Sequence, residues 1–259
     1  MAAKIYSVCN QKGGCSKTFT SISFGVGLAR RGKRVLLVDM DAQGSMTASL
    51  GYTQPDEMDH TLADVLGGII RDGKVPEGDF ILHHEEGIDF IPANIELSGL
   101  EVTLVNTMSR ETVLREYLKT VRDDYDAIIL DCMPSLGMLT INALAAADSV
   151  IIPVQSQYLS VRGMEQLIRT ISKVKRQINP KLTIEGILIT MADMRTNYAK
   201  EIVDLLHDTY DGKLKIFKSI IPMSVRAAET SAEGRSIFAH DPAGKVAAAY
   251  TAFTEEVSA

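Results

Sequence analysis

The sequence predicts an α/β fold, a mostly parallel twisted sheet with helices on both faces. Three observations predict it. Short, near-continuous runs of Val, Ile and Leu alternate with helical patterns along the whole chain. A glycine-containing loop joins the first such run to the first helix, and two later runs lead straight into aspartates. Strands buried on both faces read as unbroken apolar stretches, and helical crossovers between parallel strands cover those faces.

The elements follow in order. Residues 5–9 form a short strand, then come the glycine loop and a helix over 18–31 that Gly32-Lys33 terminates. Residues 35–38 are a buried strand running into Asp39. Thr61-Leu62-Ala63-Asp64 carries a capping pattern and starts a short helix. A strand over 88–91 precedes a helix over 110–121, whose apolar face is Val113, Leu114, Leu118 and Val121. Four more strands, 127–130, 150–154, 184–189 and 216–221, are separated by helices over 138–146, 161–178 and 198–210, and a helix over 244–257 closes the chain. No linker, low-complexity tract or repeat interrupts the pattern, so residues 1–259 read as one domain. The acidic, Pro- and Gly-containing stretch 54–87 reads as a surface excursion.

With 46% hydrophobic and 23% charged residues, the chain has the balance of a soluble globular protein with a sizeable core. No apolar run approaches the ~18–20 residues of a membrane span, and Met1-Ala2-Ala3-Lys4-Ile5 does not read as a signal peptide. Cys9, Cys15 and Cys132 lack metal-type spacing and are expected to be reduced thiols, which implies a cytoplasmic protein. The net charge of −6 excludes a uniformly basic surface. Thirteen basic and twenty-one acidic residues precede Ile151, whereas fourteen and twelve follow, so any nucleic-acid face belongs to the C-terminal half.

The sharpest motif follows the first strand: Asn10-Gln11-Lys12-Gly13-Gly14-Cys15-Ser16-Lys17-Thr18. A loop entering a helix N-terminus aims several backbone N–H groups at one point, and small residues let phosphate approach them. Lys17 would reach the β- and γ-phosphates, and the Thr18 hydroxyl would ligate Mg²⁺. The usual pattern G-x-x-x-x-G-K-S/T fails, because Gln11 and Ser16 occupy its glycine positions. A serine there strains the backbone if its φ is positive. Two strands then end in acid, in Asp39-Met40-Asp41-Ala42-Gln43-Gly44 and in Asp131-Cys132-Met133-Pro134. In open parallel sheets ligands sit beyond the carboxyl ends of the strands, where these three segments would converge. Asp131 would hold Mg²⁺ through water, as does the acid after an apolar strand in other phosphate-loop enzymes.

The motif K-G-G-x-x-K-T resembles the deviant Walker A loop of the ParA/MinD/nitrogenase-iron-protein superfamily. Residues 130–137, 148–158, 190–196 and 221–226 resemble ParA/Soj partition ATPases, and the similarity runs from about Lys4 to Val257. The resemblance implies a phosphate-loop ATPase fold using ATP and Mg²⁺. It implies that Lys12 contacts phosphate across a dimer interface, making the homodimer ATP-dependent. By the same resemblance Asp41 orients the attacking water and joins Thr18 and Asp131 as a metal-site residue. Gly13, Gly14, Cys15, Ser16 and Phe19 complete the nucleotide loop, and Met191 and Pro222 line the adenine pocket. Arg195 and Arg226 match DNA-binding positions, although Met223-Ser224 replaces a common Arg-Asn pair. The implied partners are non-specific double-stranded DNA and a ParB-like centromere-binding protein, and the implied location is the nucleoid.

Other features read as structural. Gly25-Val26-Gly27 lies inside the first helix and reads as close packing. His83-His84 reads as a surface pair. Lys173, Lys175 and Arg176 lie on a solvated helix face. A MinD-like membrane ATPase would need a basic amphipathic C-terminal helix, whereas the tail from Thr251 carries Glu255 and Glu256 and no Lys or Arg. An iron–sulfur reductase would need a cysteine to accompany Cys132. The remaining alternative is a DNA-binding switch that hydrolyses slowly or not at all.

Overall fold

The structure, a computed structural model, describes residues 2–259, with 158–163 described by backbone alone. Its strands are β1 (Lys4–Val8), β2 (Val35–Met40), β3 (Leu82–His84), β4 (Ile88–Ile91), β5 (Ala127–Cys132), β6 (Ser149–Gln155), β7 (Thr183–Ala192) and β8 (Ile216–Pro222). Its helices are α1 (Lys17–Ala29), α2 (Ser45–Ser49), α3 (Leu62–Asp72), α4 (Glu96–Leu104), α5 (Val113–Val121), α6 (Met138–Ala146), α7 (Tyr158–Gln177), α8 (Asn197–Tyr210), α9 (Val225–Glu233), α10 (Ile237–His240) and α11 (Lys245–Ser258). The strands form one sheet in the order β3-β4-β2-β5-β1-β6-β7-β8. All neighbours are parallel except β3, which runs antiparallel to β4.

Side chains alternate across each strand, so one strand feeds two cores. Leu36, Val38 and Met40 of β2 join the core under α3 to α8, while Val35 and Leu37 join the one under α1 and α11. On β5, Ile128, Leu130 and Cys132 face the first core, and Ala127 and Ile129 the second. That parity decides the chemistry. Asp39 and Asp131, directly opposite in register, fall in the α1-facing rows where an apolar residue would otherwise sit.

α1 packs tightly because two of its residues, Gly25 and Gly27, lack side chains. A Cβ on Gly25 would lie 2.6 Å from Leu37 Cδ2, and one on Gly27 would collide with Thr254 Oγ1 of α11. The reading of Gly25-Val26-Gly27 as packing therefore holds.

Several boundaries differ from expectation. β2 and β5 each run two residues further, so Asp39 and Asp131 lie inside strands, because their carboxylates are hydrogen-bonded to side chains over the sheet. The helix expected over 110–121 begins at Val113, and Asn142 Oδ1 accepts the Leu114 N–H at its start. The stretch 54–87 is more than a surface excursion: α3, with a complete Thr61/Asp64 capping box, buries Leu62, Val65 and Leu66. His83-His84 is not a surface pair. It lies on β3, where alternation turns His84 inward to 7% exposure while His83 bonds Asp89 at the surface. Among the described residues no helix is long and apolar enough to cross a membrane.

Candidate active site

The loop between β1 and α1 is held open by its neighbours. Asn10 Nδ2 donates to Pro153 O at 2.6 Å, and Asn10 Oδ1 accepts the Lys12 N–H at 3.0 Å. Gln155 Nε2, at the end of β6, donates to Gly14 O at 2.8 Å, and Thr190 Oγ1 donates to Cys15 O. These contacts engage the carbonyls of Gly14 and Cys15 and fix Asn10 against Lys12, while Gly13 and Gly14 stay exposed. Gly14 has φ 72° and Ser16, the residue before α1, has φ 64°. Both are left-handed; at Gly14 this is free, whereas at Ser16 it stores backbone strain. The strain anticipated for serine in place of glycine is present.

The two lysines behave differently. Lys17 is buried, and its Nζ donates to Lys12 O at 3.2 Å, so its ammonium sits inside the turn of the loop. Lys12 Nζ donates instead to Gln157 Oε1 at 2.9 Å, at the start of α7. Lys12 does not line the cleft above its own loop.

That cleft, of about 480 Å³, is walled by Gly13, Gly14, Lys17 and Thr18 on one side and by Thr230, Ser231 and Arg235 on the other, with Asp41 at the rim. A smaller, more apolar hollow of about 170 Å³ adjoins it, lined by Ser16, Phe19, Met191, Ile221, Pro222 and Ala227. Met191 is held at φ 51°, and its Sδ accepts from Gln155 Nε2.

Beneath the loop lie two carboxylates on adjacent strands. Asp39 accepts from the Thr47 N–H at 2.9 Å, the Thr47 hydroxyl at 2.8 Å and the Asp41 N–H at 3.1 Å. Burial nevertheless raises its carboxyl to about 6. Asp131 Oδ1 accepts from the Ser21 hydroxyl at 2.9 Å. Its Oδ2 is buried without a partner. Burial first, then the charge of Asp39, raises Asp131 to about 7. An orphaned buried carboxylate oxygen beside a hydroxyl fits a hydrated divalent cation, which takes oxygen ligands and keeps several waters. Among the described residues no group of three His, Cys, Asp or Glu side chains forms a metal cage, so such a cation would draw its other ligands from nucleotide and water. Asp41, half-buried at the rim, accepts the Gln43 N–H through Oδ1.

Cys15 is fully buried with its thiol on Lys12 O, and all three cysteines are free. Arg195 and Arg226 lie away from the cleft. Arg195 chelates Asp193 with two hydrogen bonds of 2.8 Å, and this holds the Asp193 carboxyl down at about 2. Arg226 pairs with Glu229 at 3.6 Å. Lys245 shares a groove of about 580 Å³ with Arg195.

Sequence reasoning missed Asn10, Ser21, Thr47, Gln155 and Arg235. Ser21 and Thr47 carried a faint signal, being polar residues on otherwise apolar helix faces. The others are positioned by contacts more than a hundred residues apart in sequence, for which no local pattern exists.

Residues 3–184 match a family model described as an AAA domain. The chain is 42% identical to the sporulation initiation inhibitor protein Soj of Bacillus subtilis, over 99% of this chain and 98% of that one. It is 41% identical to the chromosome partitioning protein ParA of Myxococcus xanthus, over 98% of this chain and 87% of that one. A Mycobacterium smegmatis structure described as cobyrinic acid a,c-diamide synthase with bound ADP and magnesium superposes with a TM-score of 0.84 at 36% identity, covering 98% and 93% of the two chains. Full-length similarity of this degree, on a phosphate loop carrying both lysines, assigns the chain to the ParA/Soj family of partitioning ATPases.

Proposed function

We propose that residues 1–259 act as one nucleotide-switched domain that binds Mg²⁺-ATP, dimerises on it, and in that state binds DNA without sequence preference. The observation that carries this reading is the division of labour between the lysines: Lys17 turned into its own loop, Lys12 turned out of its own cleft. A lysine in the second position serves a phosphate presented by another copy of the chain. Each nucleotide would then meet Lys17 in cis and Lys12 in trans.

The loop amides of Gly13 to Thr18 and the N-terminus of α1 cradle the phosphates. The hollow of Phe19, Met191 and Pro222 takes the base, whose flat apolar face suits those side chains. Thr18 and Asp131 hold Mg²⁺, which supplies charge neutralisation at the phosphates. Asp41 orients and polarises the attacking water, with its carboxylate held over the cleft by the Gln43 N–H. Arg195, Arg226 and the neighbouring Lys245 contact DNA phosphates, and doubling them in a dimer converts a weak site into a strong one. A ParB-like partner releases the DNA by stimulating hydrolysis, which fits a nucleoid-associated protein. The M. smegmatis structure with ADP and magnesium supports the nucleotide assignment.

The strained Ser16 favours a second reading, a switch that binds ATP and hydrolyses it slowly or not at all. Steady-state phosphate release with and without duplex DNA separates them. The ATPase reading expects measurable turnover that Asp41→Ala lowers by about 10²–10⁴-fold while ATP still binds. Turnover indifferent to Asp41 refutes the role given to it.

A further inference from the structure

We propose that Arg235 is a phosphate-binding residue for the nucleotide, reaching across the cleft in cis from the wall opposite the phosphate loop. This deepens the reading of the cleft as an ATP site and rests on it.

Arg235 lies in the turn between α9 and α10 and lines the cleft together with Lys17, Thr18 and Asp41. It is absent from the adjoining apolar hollow, so its charge belongs to the part of the cleft that would hold phosphates rather than base. Several arginines are held in ion pairs: Arg122 by Asp148, Arg195 by Asp193, Arg226 by Glu229. Among the described residues the exposed Arg235 has no ion-pair partner, and its side chain makes no hydrogen bond.

Its root is fixed on both sides. Gly234 adopts φ 66° and presses against the backbone of Gly51, so closely that a Cβ would lie 2.7 Å from Gly51 Cα. Ser236 is 2% exposed, and its N–H donates to Glu86 Oε1 at 2.7 Å. The Ser236 hydroxyl donates to Glu86 Oε2. Glu86, whose carboxylate accepts both bonds from Ser236, forms no ion pair with Arg235. The fold anchors the backbone of this turn and leaves one guanidinium free over a cleft whose other wall is a phosphate loop. A planar guanidinium with several N–H donors is suited to grip a phosphate oxygen pair. Arg235 would thus tie α9, which also carries Thr230, Ser231 and Arg226, to the presence of nucleotide.

The test is equilibrium titration of a fluorescent ATP analogue with Mg²⁺ on wild type, Arg235→Ala, Arg235→Lys and Lys17→Ala, with inorganic tripolyphosphate as competitor. Arg235→Ala should weaken ATP binding about tenfold, in line with one charge-assisted hydrogen-bonding contact in an open cleft, and Arg235→Lys should recover part of it. The tripolyphosphate concentration needed for displacement should rise by the same factor, because the lost contact is with phosphate. The thermal midpoint of the free protein should stay unchanged, since the side chain holds nothing in its absence. Wild-type binding with an unaltered Arg235→Ala protein overturns the role of Arg235 alone. Weakened ATP binding with unaltered tripolyphosphate binding overturns the phosphate assignment. Absence of wild-type binding, or binding indifferent to Lys17→Ala, overturns the nucleotide reading of the cleft and the role of Arg235 with it.

Discussion

Replacing Asp131 by asparagine should stabilise the nucleotide-free protein while disabling it. Asp131 is 1% exposed, has one carboxylate oxygen without a partner and faces a second buried acid, Asp39, in register. The gap between its raised value of about 7 and the ordinary 3.8 corresponds to about 4 kcal/mol. The sign follows from proton uptake. The folded carboxyl binds its proton at higher pH than the unfolded one, so folding takes up a proton between about pH 4 and 7. This group's contribution to stability is therefore lost as pH rises through 7. At pH 8 the native state carries an ionised, poorly solvated Asp131, and Asp131→Asn removes that burden. After the cost of burying an amide, the expected gain is about 2–4 kcal/mol, or roughly 5–10 °C in thermal midpoint. By pH 5 the wild-type carboxyl is neutral and the advantage should narrow to about 1–2 kcal/mol. Thermal unfolding of both proteins without Mg²⁺ at pH 5 and pH 8 measures this. Mg²⁺-ATP should then stabilise wild type far more than the variant. A variant no more stable than wild type at pH 8, or a gain that grows towards acid, refutes the argument.

Two further outcomes follow from the same geometry. Ser16→Gly removes a left-handed serine, so it should raise stability by about 1 kcal/mol in thermal unfolding and should not lower turnover. If Arg195 contacts DNA, Asp193 competes for it. Asp193→Asn should then tighten ATP-dependent duplex binding and steepen the salt slope by about 2 per dimer, while Arg195→Ala with Arg226→Ala weakens binding to every duplex alike, as fluorescence titration at several salt concentrations would register.

Much of this was legible in the sequence because it depends on local rules. Apolar strands, the capping box at Thr61 and the loop before Lys17 each declare themselves within ten residues. The short elements were not legible. α2 and α10, of five and four residues, are shorter than any periodicity can register, and β3 exists only because β4 is beside it. His84 shows the limit clearly: apolar Phe80-Ile81-Leu82 precede the pair and Glu85-Glu86 follow it, and only pairing with β4 decides which of the two histidines turns inward. The phosphate loop could be read residue by residue, but its supports could not. Gln155 and Gly14, or Glu86 and Ser236, meet through the fold alone. The charge of Arg195 was likewise visible in the sequence, whereas its capture by Asp193 two residues away was a matter of rotamer and loop shape.

The central claim is that ATP itself assembles the dimer through Lys12, and sedimentation velocity with a non-hydrolysable ATP analogue and Mg²⁺ tests it most directly. The account predicts a monomer without nucleotide, a dimer with the analogue, and a Lys12→Ala protein that binds the analogue yet stays monomeric. A dimer that forms without nucleotide, or a Lys12→Ala protein that dimerises as readily as wild type, would contradict it.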